Sequence, residues 1–297
     1  MFAPIEEIFC EIDDFCKMFF PQFERNLLPA PHATTQRRRA ISMAASEIMT
    51  ILVLFHMSWY RNFKSFYLDC VIGRLKGYFP RLLSYTRFVE IEKRVIPALC
   101  VFMMLKTGEE TGTYYIDSTA LAVCHNKRIK RHKTFNGLAA RGHTSMGWFY
   151  GFKLHLVINN IGQIMAFSLT PGNTDDRKPV TTLLKDLNGI TAGDKGYIST
   201  SLAGKLKENG MRLVTRVRKN MKAALHTTLE ALVLSKRGIV ETVIEQLQSI
   251  CHIDHTRHRS PDNFVANLLA GLIAYTFKPI KPTVSFDELQ KMPLIPN

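Results

Sequence analysis

The sequence predicts an α/β protein: a helical first third, β-type runs joined by a hairpin, and then strands and helices in alternation. Residues 1 to about 108 contain few glycines and no hairpin turn signal. Their apolar side chains recur at helical spacing through SEIMTILVLFHMSWYRNFKSFYLDCVIGRLKGYF. Ser46 is placed to cap one helix, and Pro80 followed by Ser84 marks a break before another. The KTGEETGT stretch at 106–113 reads as a linker, because the pattern changes after it.

TYYIDSTAL is rich in the Tyr, Ile and Thr that strands favour. GFKLHLVIN alternates Phe152, Leu154, Leu156 and Ile158 with Lys153, His155 and Val157, and QIMAFSLT follows across Asn159, Asn160, Ile161 and Gly162, which predicts a hairpin. Asn173 and Thr174 as a cap, with Asp175 and Asp176 in a first turn, predict a helix to about Leu187. NGITAGD reads as a buried strand ending in Asp194, followed by a helix near 199–209, the strand MRLVTRV, and helices near 235–250 and 262–277. That order predicts a mixed sheet covered by helices on both faces. The expected division is a helical domain at 1–108, an α/β domain at 109–280 and a tail at 281–297.

At 297 residues and 46% hydrophobic, the chain has ample material for one large or two ordinary cores. Lys plus Arg number 39 against 25 Asp plus Glu, a formal charge of +14, which points to a polyanionic partner. Nucleic acid comes first and membrane phosphate second. No uncharged apolar run reaches about 18 residues, and the start MFAPIEEIFCEIDDF carries acids where a signal peptide needs basic residues. A soluble cytoplasmic protein with no membrane partner is therefore expected. Cys10, Cys16, Cys70, Cys100, Cys124 and Cys251 form no C-x-x-C pair, so neither zinc nor a disulfide framework is suggested. Reduced, mostly buried thiols are expected.

Asp117 falls within a predicted strand among apolar and aromatic residues, where a lone charge is costly unless paired or bound to metal. Asp194 lies at the C-terminal end of another strand between Gly193 and Gly196, at the edge where ligands gather in open α/β sheets. On adjacent parallel strands the two aspartates would repel unless a cation sat between them. Glu241, on a downstream helix, completes an all-oxygen set of the kind Mg²⁺ or Mn²⁺ prefers, and Glu245, one turn on, is the alternative third ligand. Two such ions about 4 Å apart can activate a water or a 3′-hydroxyl and stabilise the leaving oxygen of a phosphodiester. Each acid alone is more often a turn or edge residue; the combination, in a strongly basic chain, raises the functional reading.

YYIDSTAL, WFYGFKLHLVIN, GDKGYI and SKRGIVETVIEQLQ together resemble the DDE transposases of bacterial insertion sequences, most closely insertion-sequence family 982, related to the family 4 group. The resemblance is close over roughly 110–280 and looser before it. It implies an RNase H-like catalytic domain with a mixed five-stranded sheet behind an all-α N-terminal domain. It also implies catalytic, metal-holding acids at Asp117, Asp194 and Glu241, and two Mg²⁺ or Mn²⁺ ions per site. The implied partners are DNA, as terminal inverted repeats and target, and a second copy of the chain when two ends are synapsed. Related families carry the third acid in Y-x2-R-x3-E-x6-K; here Arg237 and Glu241 keep the middle, while Leu234 and Gln248 stand at the tyrosine and lysine positions. The 47 positions from Asp194 to Glu241 leave no room for the large β-rich insertion of some relatives.

From Ser118 to Thr174 there is no acid, while Lys127, Arg128, Lys130, Arg131, Lys133, Arg141 and Lys153 are basic, so this stretch reads as a loop that neutralises phosphate. A solvated loop without fixed role is the competing reading. Lys195 beside Asp194, and a second cluster of Arg212, Arg216, Arg218, Lys219 and Lys222, extend the expected DNA contacts, as do Arg237 and Arg257. Trp148, Phe149 and Tyr150 suit either a strand start packed in the core or stacking on an exposed base. His252, His255 and His258 lack a cysteine partner set for zinc, and Arg257 and Arg259 fit a phosphate-contacting turn better. Arg37, Arg38 and Arg39, and the helix start at Ser84, Tyr85, Thr86 and Arg87, suggest a helix-turn-helix-like module. Generic helical packing competes with it. Two alternatives to a transposase stay open: a purely hydrolytic RNase H-like nuclease, and an inactive element-derived DNA-binding protein.

Overall fold

The computed structural model describes residues 3–26, 42–216, 227–254 and 258–286. Arg37, Arg38, Arg39, Arg218, Lys219, Lys222, His255 and Arg257 lie outside the described residues. The chain divides into two compact units, Met1–Lys106 with Ser249–Pro279, and Thr107–Gln248 with Ile280–Asn297.

The second unit is built on six strands: β1 (Thr113–Cys124), β2 (Ala140–Thr144), β3 (Gly147–Asn159), β4 (Ile164–Pro171), β5 (Gly189–Gly193) and β6 (Met211–Thr215). β3 pairs antiparallel with β1 on one side, and with β2 and β4 in succession along the other. β5 pairs parallel with β1, and β6 parallel with β5. The path β4-β3-β1-β5-β6, antiparallel first and parallel after, is the RNase H-like order. β2 is an addition to the five expected strands.

The β3–β4 turn forms where the sequence predicts it. Asn159, fully buried, accepts from the backbone N–H of Ile161 and Gln163 through its Oδ1, and Gly162 takes a φ of +70° that a side chain would resist. Alternation along β1 sends Tyr114 and Ile116 into a core with Val157, Leu183, Leu187, Leu202 and Leu206, so the short helix Val180–Leu183 and the helix Thr200–Glu208 cover that face. Thr119, of opposite parity, accepts a hydrogen bond from Gln248 on the helix Gly238–Ser249, which covers the other face. The helix expected from 173 to 187 shrinks to Val180–Leu183 because Pro179 disfavours helical backbone at the residue before it, and the two aspartates are engaged elsewhere.

The first unit is helical: Ile5–Asn26, Ala45–Met57, a π-helical turn Phe66–Ile72, Tyr85–Ile91, Ile96–Leu105 and Pro261–Thr276. Ser84 caps as expected, accepting from Arg87 N–H at 3.4 Å. Ser46 does not cap; its hydroxyl donates to Asp13 at 2.6 Å, and Glu47 accepts the free N–H of Ala44 instead. The helix Pro261–Thr276, expected in the α/β domain, packs with Ala45–Met57 and Ile96–Leu105. It is buried from Phe264 to Tyr275 on nearly every side, and a helix apolar all round must be surrounded by other helices. The expected burial of the thiols holds only for Cys16 and Cys251; Cys10 and Cys100 are exposed, and all six are free. Among the described residues no helix is long and apolar enough to cross a membrane.

Glu92 sits in this helical core with 6% of its surface exposed, and burial pushes its carboxyl from 4.5 to about 8 against the opposing hydrogen bond of Asn263. Between those values the folded protein holds a proton that the unfolded chain has lost, so stability falls as pH rises through them. Glu92→Gln is expected to flatten that fall, stabilising the protein by roughly 2 kcal/mol at about pH 8.5 and leaving melting near pH 5 unchanged. Superimposable pH profiles of melting temperature for the two proteins would refute it.

Candidate functional site

Asp117 lies in β1 two residues beyond the last pair with β5. β1 pairs Asp117 with Leu156 of β3, and on its other edge the parallel register with β5 runs Thr113 to Ile190, Tyr114 to Thr191 and Tyr115 to Ala192. Carried two residues past the last pair, that register directs Asp117 towards Asp194, whose charge acts on the Asp117 carboxyl. Asp194 follows the last residue of β5, and its carbonyl accepts from Tyr197 N–H at 3.0 Å in the turn Lys195–Tyr197. Gly193 lets this turn close: a Cβ there would stand 3.0 Å from the Tyr197 ring and 3.3 Å from Ile116.

The third acid arrives on the helix Gly238–Ser249, whose Ile239, Val240, Val243 and Leu247 are buried and turn Glu241 outward. Arg237, just ahead of it, donates to Glu241 Oε1 at 2.6 Å and stands 3.6 Å from Asp117 Oδ2. Burial pushes the Asp117 carboxyl from 3.8 up to about 6; Ser118 N–H and Arg237 oppose this, and the charges of Asp194 and Glu241 add to it. Glu241 is a helix acid whose charge acts on Asp117. Among the described residues no three carboxylate, histidine or cysteine groups already stand as a closed metal cage. The donors nonetheless suit a hard cation: they are all oxygens, Asp117 is partly buried, and its carboxyl is short of positive charge.

Two contacts near the acids were not anticipated. Gln248 Nε2 donates to Thr119 Oγ1 at 2.9 Å, tying the helix of Glu241 to the strand of Asp117. Leu234, at the tyrosine position, is buried in the helix Thr228–Ser235. Asp176, read from sequence as a helix-start acid, accepts from Ser118 Oγ at 3.0 Å and from Lys153 Nζ at 2.9 Å, with His155 Nδ1 3.9 Å away. Asp175 is taken up by Arg177. Only its neighbours in space mark Asp176, so local pattern carries no signal for it.

The basic residues sort by partner. Lys127, Arg128, Lys130 and Arg131 are exposed on the turn Asn126–Arg131 directly after β1, with Lys133 exposed just beyond. The segment is anchored, because Phe135 is fully buried and Asn126 Nδ2 donates to Trp148 O at 2.6 Å. Arg141 on β2, Lys195 and Arg216 are exposed too. Lys153 is paired with Asp176, and Arg212, whose side chain is 58% exposed, with the buried carboxylate of Glu230. Phe149 and Tyr150 are core residues as the packing reading had it, whereas Trp148 is 56% exposed.

The profile described as a transposase DDE domain matches residues 107–261. No characterised protein matches the sequence significantly. A solved structure, the piggyBac transposase synaptic complex with hairpin DNA, is similar at 12% identity and a TM-score of 0.42, covering 92% of this chain and 78% of that chain.

The Gln248–Thr119 tie makes a prediction of its own. Gln248→Ala and Thr119→Val are each expected to cost about 1 kcal/mol of unfolding free energy, and the double variant little more than either alone. Strictly additive losses in urea denaturation would mean the two side chains do not act on each other.

Proposed function

Because the chain belongs to the transposase DDE domain family, we propose that Asp117, Asp194 and Glu241 form the metal-binding active site of a DNA transposase. In this reading the protein cuts at element ends and joins those ends to target DNA, and its motifs resemble those of insertion-sequence family 982. The observation that supports the reading is the β1–β5 register, which directs Asp117, within β1, towards Asp194, just past the end of β5, while the charges of Asp194 and Glu241 both act on Asp117.

Asp117, Asp194 and Glu241 would hold Mg²⁺ or Mn²⁺, which when bound would supply Lewis-acid stabilisation to the attacking and leaving oxygens. The chain's own residues set the stage for it. β1 and β5 fix the two aspartates on rigid backbone, and the helix Gly238–Ser249 presents Glu241 from across the sheet face. Arg237 spans Asp117 and Glu241, restrains their mutual repulsion and orients the glutamate. Exposed Lys127, Arg128, Lys130, Arg131, Lys133, Arg141, Lys195 and Arg216 give the DNA backbone its counter-charge.

Two experiments test the reading. Asp117→Asn, Asp194→Asn and Glu241→Gln should each lower metal-dependent cutting and joining of element-end DNA on the order of 1,000-fold, with folding retained. Undiminished products from the aspartate variants would end the proposal. Offering a 3′-hydroxyl donor end with a target plasmid separates joining from hydrolysis, since a nuclease alone leaves no joined product. Replacing Lys127, Arg128 and Arg131 together with alanine should lower the slope of log affinity against log salt by about 2 to 3. An unchanged slope would remove that turn from the DNA interface.

A further inference from the structure

A cleft of about 520 Å³ opens in the sheet unit where β2 and the turn after β4 meet. Its shape follows from two glycines. A Cβ on Gly142 would stand 2.2 Å from Gly172 O, and one on Gly172 would stand 2.7 Å from Ala140 O, so the two segments approach closer than any side chain allows. The cleft's lining includes Trp148, Asp176 and Gly196. Those last two lead to the acids: Asp176 takes the hydroxyl of Ser118, the neighbour of Asp117, and Gly196 lies in the turn that begins at Asp194.

The charges in the cleft are mostly spent. Arg177 is paired with Asp175, and Lys153 with Asp176 at 2.9 Å. Arg141 has no carboxylate partner among the described residues; its guanidinium lies over the Trp148 ring, 4.8 Å from the centroid. His143 meets the same ring edge-on at 5.0 Å. An indole more than half exposed, backed by an arginine and braced by a histidine, is a rigid flat surface beside one uncommitted positive charge.

We propose that this cleft binds one unpaired nucleotide of a DNA strand, its base stacked on Trp148 and its phosphate on Arg141. The ligand class follows from the two groups: a π-face selects a planar heterocycle, and a lone guanidinium selects a single phosphate. A base within a duplex hides both of its faces in the stack, so the site discriminates unpaired from paired strands rather than one sequence from another. The inference rests on the reading that this chain acts on DNA, and it adds a positioning subsite beside the acids.

The test uses the full chain in Trp59→Phe background, so that Trp148 is the remaining tryptophan, in buffer with chelator so that no strand is cut. The probes are a mixed-sequence single strand, an abasic strand of equal length and charge, and the paired duplex. The single strand is expected to quench Trp148 and to bind about tenfold more tightly than the abasic strand. Trp148→Ala should bind the two strands alike while holding duplex affinity within about twofold, and Trp148→Phe should keep most of the preference. A preference that survives Trp148→Ala, or emission that stays unchanged at saturation, overturns the proposal. If the duplex binds and is cut with Mn²⁺ but no Trp148-dependent preference exists, the subsite alone falls; if no probe binds, the DNA reading falls with it.

Discussion

A carboxylate in the middle of a strand is the constraint around which the sheet unit is arranged. The Asp117 side chain is 22% exposed, on a strand that β3 pairs at Asp117 itself and that β5 pairs as far as Tyr115. The cost of its charge must be met by groups brought to it. Those present are the N–H of Ser118 and the guanidinium of Arg237, and they do not suffice, since the carboxyl still stands well above its ordinary value. Two further acids lie close by and make the deficit larger. A purely structural aspartate would be surrounded by donors; this one is surrounded by donors and more carboxylates, an arrangement that makes sense with additional positive charge.

The run Asp117-Ser118-Thr119 shows how one tripeptide serves two layers. Strand alternation sends Asp117 and Thr119 to the face covered by the helix Gly238–Ser249, where Arg237 and Gln248 meet them. Ser118 points the other way and donates to Asp176, which Lys153 also holds. The parallel pairing with β5 works along a third direction, in the plane of the sheet. The acids are thus fixed by backbone pairing, by a helix tie and by a polar network on the reverse face, none of which depends on the others' sequence neighbourhood.

Much of this was legible from the residues. The alternation of GFKLHLVIN and the Asn159–Gly162 turn announce their hairpin, and an aspartate among strand-forming residues announces a site, because local chemistry dictates both. What depended on tertiary partners was not legible. β2, read as loop, is the polar run ARGHT, and backbone pairing with β3 rather than an apolar face makes it a strand. Asp175 and Asp176 mimic a helix start, but their side chains go to Arg177, Ser118 and Lys153, and Pro179 delays the helix. The helix Pro261–Thr276 is apolar on all sides, a pattern that states it will be buried without stating in which core. Gln248 occupies a position where a lysine is expected, and only the geometry reveals that it donates to Thr119.

Charge requires the same separation of local from tertiary. A net excess of cations says that a polyanion is near, but an individual arginine contributes to that attraction only if the fold leaves it uncommitted. Arg212 is paired with Glu230, whose side chain is 3% exposed and whose Oε2 also accepts from Thr227 N–H at 3.0 Å. Lys153, itself only 12% exposed, is paired with Asp176. By contrast, Lys127, Arg128, Lys130 and Arg131 share one exposed turn that leaves the end of β1, and its anchor is the buried ring of Phe135 rather than an ion pair. An apolar anchor holds the turn in place without consuming its charge. Fixed cations of this kind lose little entropy on meeting a phosphate backbone, which gives the stretch after the first aspartate more reason to be ordered than solvation alone would.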